Sequence, residues 1–153
     1  AIVKKVAKYV SKFEGLIVFT RDTHNQDYLN TREGKHLPIP HCIAQTEGWR
    51  VNGEILKAAE ENKKARVAFV NKSTFSAGTS LYVGIQTICE KPEAIEFCGT
   101  CTDICVVSNV LAMIGAFKEA QIIIHKDLCA GLTEEKHNAA LEVMRSCQVE
   151  VVK

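Results

Sequence analysis

Apolar positions along the chain alternate between two spacings. Residues 2–13 place apolar side chains three or four positions apart, as a helix with one buried face does, whereas residues 16–19 form a short and wholly apolar run that is typical of a buried strand. The same alternation continues to the end of the chain. The predicted helices cover residues 2–13, 54–63, 79–89, 104–118 and 134–147, and the predicted strands cover residues 16–19, 65–70, 94–98, 121–125 and 148–152.

Strict alternation of helices with apolar strands indicates a parallel sheet that helices cover on both faces. The sequence therefore predicts an α/β protein with three layers, α/β/α, and a doubly wound parallel sheet. A chain of 153 residues suits one core, so we expect a single domain over residues 1–153. The chain opens on a helix, whereas a doubly wound fold opens on a strand that is often central. We therefore expect this first central strand to lie upstream of Ala1, which would make the domain N-terminally incomplete.

Residues 20–53 show little periodicity and are longer than the connections usual in a compact domain. Four side chains in or beside this segment suit a divalent metal, because two imidazoles and two carboxylates are ligands for zinc, manganese or iron(II). These residues are Asp22, His24, Glu33 and His41. His36 could replace either histidine, and the alternative for the whole segment is a solvated polar loop.

A second candidate site follows the third predicted strand, where a tight turn leads into the most apolar helix. Cys105 is expected in the first turn of that helix, where the helix dipole favours a thiolate and free N–H groups can bind an oxyanion. Asp103 is expected to cap the same helix. Lys72 follows the second strand, and its cation could lower the pKa of a nearby cysteine. The alternatives are a buried helical cysteine and a solvated lysine.

Charge and composition exclude several classes of partner. The chain has 19 Lys and Arg against 18 Asp and Glu, so its net charge of +1 gives no electrostatic case for nucleic acid or an anionic membrane. No apolar run approaches the length of a membrane span, which is roughly 18 residues. Seven cysteines, an odd number, fit the reduced thiols of a cytoplasmic protein better than a disulfide framework. A flavodoxin-like redox domain that uses Cys98 and Cys101 is an alternative, although no phosphate-binding loop accompanies the pair.

Four segments, each after the expected strand, together resemble the isochorismatase-like cysteine hydrolases, and most closely the nicotinamidases of the pyrazinamidase type. The resemblance covers nearly the whole chain. Each segment is modest alone, but their order and the spacing from Lys72 to Cys105 are specific. The segments are residues 20–24 (TRDTH), 38–42 (PIPHC), 72–76 (KSTFS) and 99–106 (GTCTDICV).

The resemblance implies a catalytic role for several residues. Cys105 would attack an amide carbonyl to give a thioester and release ammonia, and Lys72 would stabilise its thiolate. The backbone N–H groups of Cys101 and Cys105 would form the oxyanion hole, next to a cis peptide at Thr100–Cys101. The family's third catalytic group is an aspartate at the end of the first strand, which we expect upstream of Ala1.

The resemblance also implies a metal cofactor and a substrate. Asp22, His24 and His41 match the family's metal ligands, Glu33 matches a fourth ligand of some members, and zinc is expected, with manganese or iron as alternatives. The ion would bind the ring nitrogen of a pyridine substrate, and Phe75 would line the pocket. Some members have an aromatic residue just before the Pro-His of the metal loop, but this chain has none there, so stacking on the substrate ring is not expected from this segment.

The expected reaction is hydrolysis of nicotinamide to nicotinate and ammonia, a step of NAD salvage in pyridine nucleotide metabolism. A family hydrolase of another small amide, such as a carbamoyl or ureido compound, is one alternative. A non-catalytic binding domain on the same fold is the other, because no acidic residue in the chain matches the family's catalytic aspartate. We expect a cytoplasmic homo-oligomer whose partner is a small-molecule amide, with no nucleic acid or membrane partner.

Overall fold

The computed structural model describes residues 2–153, in which helices and strands alternate as the sequence predicts. The helices are α1 (Val3–Val10), α2 (Arg32–His36), α3 (Gly53–Glu61), α4 (Gly78–Ile88), α5 (Val107–Ala116) and α6 (Glu134–Ser146). The strands are β1 (Gly15–Asp22), β2 (Ala65–Lys72), β3 (Ala94–Thr100), β4 (Gln121–Ala130) and β5 (Glu150–Val152). The chain is thus an α/β protein.

Two elements differ from the sequence prediction. Strand β4 continues beyond His125 to Ala130. The polar pair at 126–127 interrupts the apolar pattern, which is why the sequence predicted an earlier end, but it does not end the strand. The β3–β4 register shifts between Phe97 and Gly99, and such an irregularity lets a strand continue with altered pairing. The long segment after β1 is not a plain loop, since it contains α2 and two 3-10 turns, Tyr28–Asn30 and Glu47–Trp49.

The paired strands run parallel throughout residues 2–153. Strand β1 pairs with β2 from Gly15 opposite Ala65 to Asp22 opposite Lys72, and a second group has the order β3-β4-β5. Because the carboxyl ends of parallel strands meet at one edge, this register places Asp22 and Lys72 side by side where both strands end. The predicted first strand concerns residues before Ala1 and stays a prediction.

The buried side chains form two clusters that use different helices. One joins α1 and α3 to β1 through residues such as Val6, Ile17 and Ala59. The larger joins α4, α5 and α6 to the strands, with Val110 and Ile124 at its centre. Two groups of helices therefore pack against the strands through separate hydrophobic clusters, as in an α/β/α arrangement. Within residues 2–153, no helix has the length and apolar character that crossing a membrane requires.

Candidate active site

Lys72, Asp22 and Cys105 meet at the carboxyl ends of β1 and β2. The Lys72 side chain is buried, and its ammonium forms an ion pair with the Asp22 carboxylate. Lys72 Nζ also donates to the Thr74 carbonyl at 3.2 Å and to Cys105 Sγ at 3.5 Å. A buried ammonium is stable only when acceptors surround it, so these contacts fix its position. The structure thereby brings together two residues that the sequence assigned to catalysis and one that it assigned to a metal.

Cys105 lies in a π-helical turn, Thr102–Val106, that directly precedes α5. The Thr100–Cys101 peptide before this turn is cis. The N–H groups of Ile104 and Val106, which flank Cys105, both donate to the Cys101 carbonyl at 3.1 Å. The nucleophile candidate is therefore on a tight turn that the Cys101 backbone organises, rather than in the first turn of a regular α-helix.

Asp103 does not cap the helix, and the prediction that it would is wrong. No side-chain hydrogen bond caps the π-helical turn or α5. The Asp103 carboxylate instead accepts from the backbone N–H of Leu132 at 3.0 Å, 29 positions along the chain. A tertiary partner has replaced the local one, so Asp103 ties this turn to the segment that follows β4.

The thiol of Cys105 has opposing electrostatic neighbours. Burial raises its pKa above the ordinary value, Lys72 lowers it, and the Asp22 carboxylate raises it, so that the net shift is upward. A thiol with a raised pKa keeps its proton near neutral pH, and a nucleophilic step then requires that a neighbouring base accept this proton.

Asn109 is a buried residue of the site that the sequence analysis did not identify. Its Nδ2 donates to the Cys105 carbonyl at 2.7 Å and to the Phe75 carbonyl at 3.1 Å, and its Oδ1 accepts from the Ala77 N–H at 2.8 Å. One amide side chain thus joins the turn of Cys105 to the loop after β2. An asparagine inside the most apolar helix was a usable signal, because a buried polar side chain needs partners.

Asp22, His24 and His41 form a candidate metal centre beside the cysteine. One ligand atom from each lies within 4.8 Å of the others. Glu33 Oε1 lies 3.6 Å from His24 Nε2 and 3.8 Å from His41 Nε2, so both imidazoles present the same nitrogen towards this carboxylate. His36 is turned to a different contact, with its Nδ1 bonded to the Arg32 carbonyl at 2.8 Å, and lies outside the cluster.

The hydrogen bonding of the two imidazoles leaves a nitrogen of each ring available to a metal. His41 Nδ1 lies 2.9 Å from the Ile39 carbonyl, which can only accept, so the neutral ring carries its proton there and keeps a lone pair on Nε2. His24 Nε2 is buried and has no hydrogen-bond partner within residues 2–153. An orphaned buried nitrogen is costly, and binding a cation would remove that cost.

Tyr28 is the second residue that sequence reasoning missed. Its ring is almost fully buried, and it lies 4.7 Å from the His24 ring and 5.0 Å from the His41 ring. Its hydroxyl donates to the Leu37 carbonyl at 3.1 Å. The buried Tyr28 ring therefore packs against both imidazoles and restricts their orientation. An aromatic residue next to the polar run at residues 23–27 was the available signal.

Phe75 and the remaining cysteines complete the comparison with the sequence. Phe75 is near the site through its backbone, but its side chain is 45% exposed. Within residues 2–153, all seven cysteines are free thiols. Burial raises the pKa of Cys101, and nearby Asp103 and Asp22 raise it further. Burial also raises the pKa of Cys98, to about 11. A redox-active CxxC pair needs one thiol of lowered pKa, so these two shifts oppose the alternative of a redox domain.

Comparison with known proteins gives a consistent result. The family model of the isochorismatase domain matches residues 1–153. The solved nicotinamidase/pyrazinamidase from Bacillus subtilis is 25% identical with a TM-score of 0.79, and the match covers 99% of this chain and 82% of that one. The pyrazinamidase of Pyrococcus horikoshii, solved in complex with zinc, is 25% identical with a TM-score of 0.77, over 99% of this chain and 84% of that one.

A third structure supports the fold alone. The pyrazinamidase/nicotinamidase of Streptococcus mutans UA159 is 23% identical with a TM-score of 0.80, over 99% of this chain and 85% of that one. No curated protein matches the sequence. The similarity is thus carried by the family model and the fold.

Proposed function

The chain belongs to the isochorismatase family, and we propose that it is a cysteine-dependent amidohydrolase that converts nicotinamide to nicotinate and ammonia. One observation carries this proposal: the Lys72 ammonium lies 3.5 Å from Cys105 Sγ and is ion-paired with Asp22, itself part of the candidate metal centre. A nucleophile candidate and a substrate-orienting centre thus share one edge of the sheet. The names of the 25% identical structures, nicotinamidase and pyrazinamidase, support an aromatic carboxamide as the substrate class.

The proposed reaction has two stages at Cys105. Its thiolate sulfur forms a bond to the amide carbon, the C–N bond breaks, and the nitrogen leaves as ammonia after it gains a proton. Water then attacks the thioester, which releases the carboxylic acid and restores the thiol, so the sum is amide plus water to acid plus ammonia. The N–H groups of Cys101 and Cys105 would stabilise the oxyanion in both stages.

Lys72 would stabilise the thiolate rather than accept its proton, because its ammonium already has acceptors on three sides. A separate base must take the thiol proton and pass it to the leaving nitrogen. The catalytic aspartate that the family resemblance implies would fill that role.

Asp22, His24 and His41 would hold a divalent metal, with Glu33 as a fourth ligand. Zinc is our proposal, with manganese or iron as alternatives, because two imidazoles and two carboxylates suit all three ions. The bound ion supplies a Lewis acid that can bind a ring nitrogen of the substrate. One carboxylate oxygen of Asp22 pairs with the Lys72 ammonium. As a metal ligand, the same carboxylate would link the metal centre to the lysine beside Cys105.

The test is ammonia release from nicotinamide by the full-length protein, with and without a chelator. We expect activity that the chelator removes and zinc restores. The Cys105→Ala variant should be inactive, whereas Cys147→Ala, at the C-terminal end of α6 and away from the site, should keep wild-type activity. Equal activity in Cys105→Ala and wild type would contradict the mechanism. Activity on a ureido compound but not on nicotinamide would contradict the substrate.

A further inference from the structure

We propose that His137, on α6, is a positioning residue that holds the turn carrying Cys101 and Cys105 through a hydrogen bond to Thr102. The inference rests on the proposed function, because it assigns that turn the oxyanion donors of an amide hydrolase. His137 lies outside the Lys72–Cys105 contact and outside the candidate metal centre. It acts through another residue and does not face the reacting atoms.

The first observation is the contact between His137 and Thr102. The Thr102 hydroxyl lies 2.8 Å from His137 Nδ1, and Thr102 is 0% exposed. Thr102 directly follows Cys101 and opens the π-helical turn that contains Cys105. A fully buried hydroxyl costs free energy unless it is hydrogen-bonded, so the imidazole stabilises this one position of the turn.

The second observation is that the chain just before His137 touches the same turn. The Leu132 N–H donates to Asp103 Oδ1 at 3.0 Å. A Cβ at Gly131 would lie 2.8 Å from that same oxygen and 3.0 Å from His137 Cβ, so a glycine is required for this close approach. The Thr133 hydroxyl accepts from the Lys136 N–H at 3.1 Å. This cap fixes where α6 begins, and therefore the position of His137 in the first turn of the helix.

Thr102 and Asp103 are therefore both held by partners that lie about 30 positions later in the chain. The proposed oxyanion donors are the N–H groups of Cys101, which directly precedes Thr102, and of Cys105, which lies two positions after Asp103. Oxyanion stabilisation depends on donors that are already in place before charge develops, and small displacements of such donors reduce the rate strongly. Loss of the His137 contact should therefore lower kcat and leave KM nearly unchanged.

The experiment compares His137→Ala with His137→Asn and with Asn138→Ala. Asn places a polar atom close to the position of imidazole Nδ1, and Asn138 is the exposed neighbour on α6, so these variants are the rescue and the matched control. The first readout is amide hydrogen–deuterium exchange of peptides covering residues 99–106 and, for comparison, 15–22. The second is kcat and KM for nicotinamide, together with the rate at which iodoacetamide labels Cys105.

We expect His137→Ala to speed exchange over residues 99–106 about tenfold or more, with little change over residues 15–22. We expect kcat to fall about tenfold to a hundredfold, with KM and the labelling rate within about twofold of wild type. His137→Asn should recover most of both effects, and Asn138→Ala should behave as wild type. Thr102→Val combined with His137→Ala should be no worse than either change alone, because both remove one contact.

Unchanged exchange over residues 99–106 in His137→Ala would overturn the inference, and so would faster exchange with an unchanged kcat. Exchange that rises equally over residues 15–22 would also overturn it, since His137 would then support the whole fold. Failure of the proposed function looks different: wild type and Cys105→Ala would both release no ammonia. In that case the exchange readout alone still decides whether His137 holds the turn.

Discussion

Lys72 Nζ lies 3.5 Å from Cys105 Sγ, although the two residues are 33 positions apart. The remaining contacts of this ammonium are the Asp22 carboxylate and the Thr74 carbonyl, so it meets an acceptor for each of its three N–H groups. A buried ammonium with a full set of acceptors does not reorient. Its positive charge therefore stays beside Cys105 and lowers the pKa of that thiol.

The first prediction concerns the thiolate of Cys105. Burial already raises the pKa of this thiol, and Lys72 opposes the rise, so Lys72→Met should raise the pKa further. Each added pKa unit lowers the thiolate fraction about tenfold at a pH below the pKa. The rate at which iodoacetamide labels Cys105 at neutral pH should fall about tenfold or more. Mass spectrometry of the labelled peptide measures this rate.

The control for this prediction is Lys57→Met, which removes an exposed lysine paired with Glu61 on α3. Its labelling rate should equal that of wild type, because an exposed ion pair far from the site contributes little. If Lys72→Met and wild type label equally fast, the lysine does not control the thiol.

Most of the fold could be predicted because its signals are local. The spacing of apolar residues was enough to predict the type and order of the elements. The continuation of β4 past His125 could not be predicted, since residues 126–127 are polar and the strand persists only through pairing with β3. The capping role of Asp103 failed for the same reason, because the carboxylate found a partner 29 positions away.

In the candidate site, too, residues close together in the sequence could be predicted, whereas residues held by distant contacts could not. The clustered ligands Asp22, His24 and His41 come from one segment, so their proximity was visible in the sequence. Besides its bond to the nearby Cys105 carbonyl, Asn109 contacts residues 32 and 34 positions away, and His137 contacts one 35 positions away. Nothing in a local pattern identifies those distant partners. A buried polar residue can be suspected from an apolar context, but its partner is a property of the packed structure.

The second prediction concerns the metal. His24→Ala removes a nitrogen that is buried without a hydrogen-bond partner, so zinc affinity should fall about tenfold to a hundredfold or more. Isothermal titration with zinc, or metal content after dialysis, measures the loss. His36→Ala is the matched control, since His36 is exposed on α2 and its Nδ1 bonds the Arg32 carbonyl, outside the candidate metal centre. Equal zinc binding by His24→Ala and His36→Ala would contradict the ligand assignment.

The third prediction concerns the close packing of α2 against the 3-10 turn before it. A Cβ at Gly34 would lie 2.1 Å from the Tyr28 carbonyl oxygen and 2.8 Å from Leu29 Cα, which are backbone atoms that cannot rotate away. Gly34→Ala should therefore lower the free energy of unfolding by about 1–3 kcal/mol, as overpacking does. It should also weaken zinc binding, because Tyr28 packs against both imidazoles.

Gly48→Ala is the control for this change, because a Cβ there meets no atom of residues 2–153 within 4 Å. Thermal unfolding of both variants, with and without zinc, separates the two glycines. If Gly34→Ala has the same Tm and zinc affinity as Gly48→Ala, then α2 and the 3-10 turn Tyr28–Asn30 are not in close contact in solution.

The last prediction concerns Glu96, which joins three elements on the side of β3 that faces α1. Its carboxylate accepts from the Tyr9 hydroxyl of α1 and bonds the His125 imidazole of β4. Burial raises the pKa of Glu96, but these hydrogen bonds and the His125 charge lower it more, so the net shift is downward. The folded state therefore favours the charged carboxylate, and this contribution to stability is lost as the pH falls through the lowered pKa.

Glu96→Gln removes this contribution at every pH. The variant should be less stable than wild type near neutral pH. The difference in Tm should shrink at acid pH, as the pH falls through the lowered pKa of Glu96 and the wild-type carboxylate also becomes protonated. Glu61→Gln, an exposed change on α3, should follow wild type across the whole range. Thermal melts at a series of pH values measure both differences. A gap between Glu96→Gln and wild type that stays constant down to about pH 3 would show that the carboxylate charge does not stabilise the α1–β3–β4 contact.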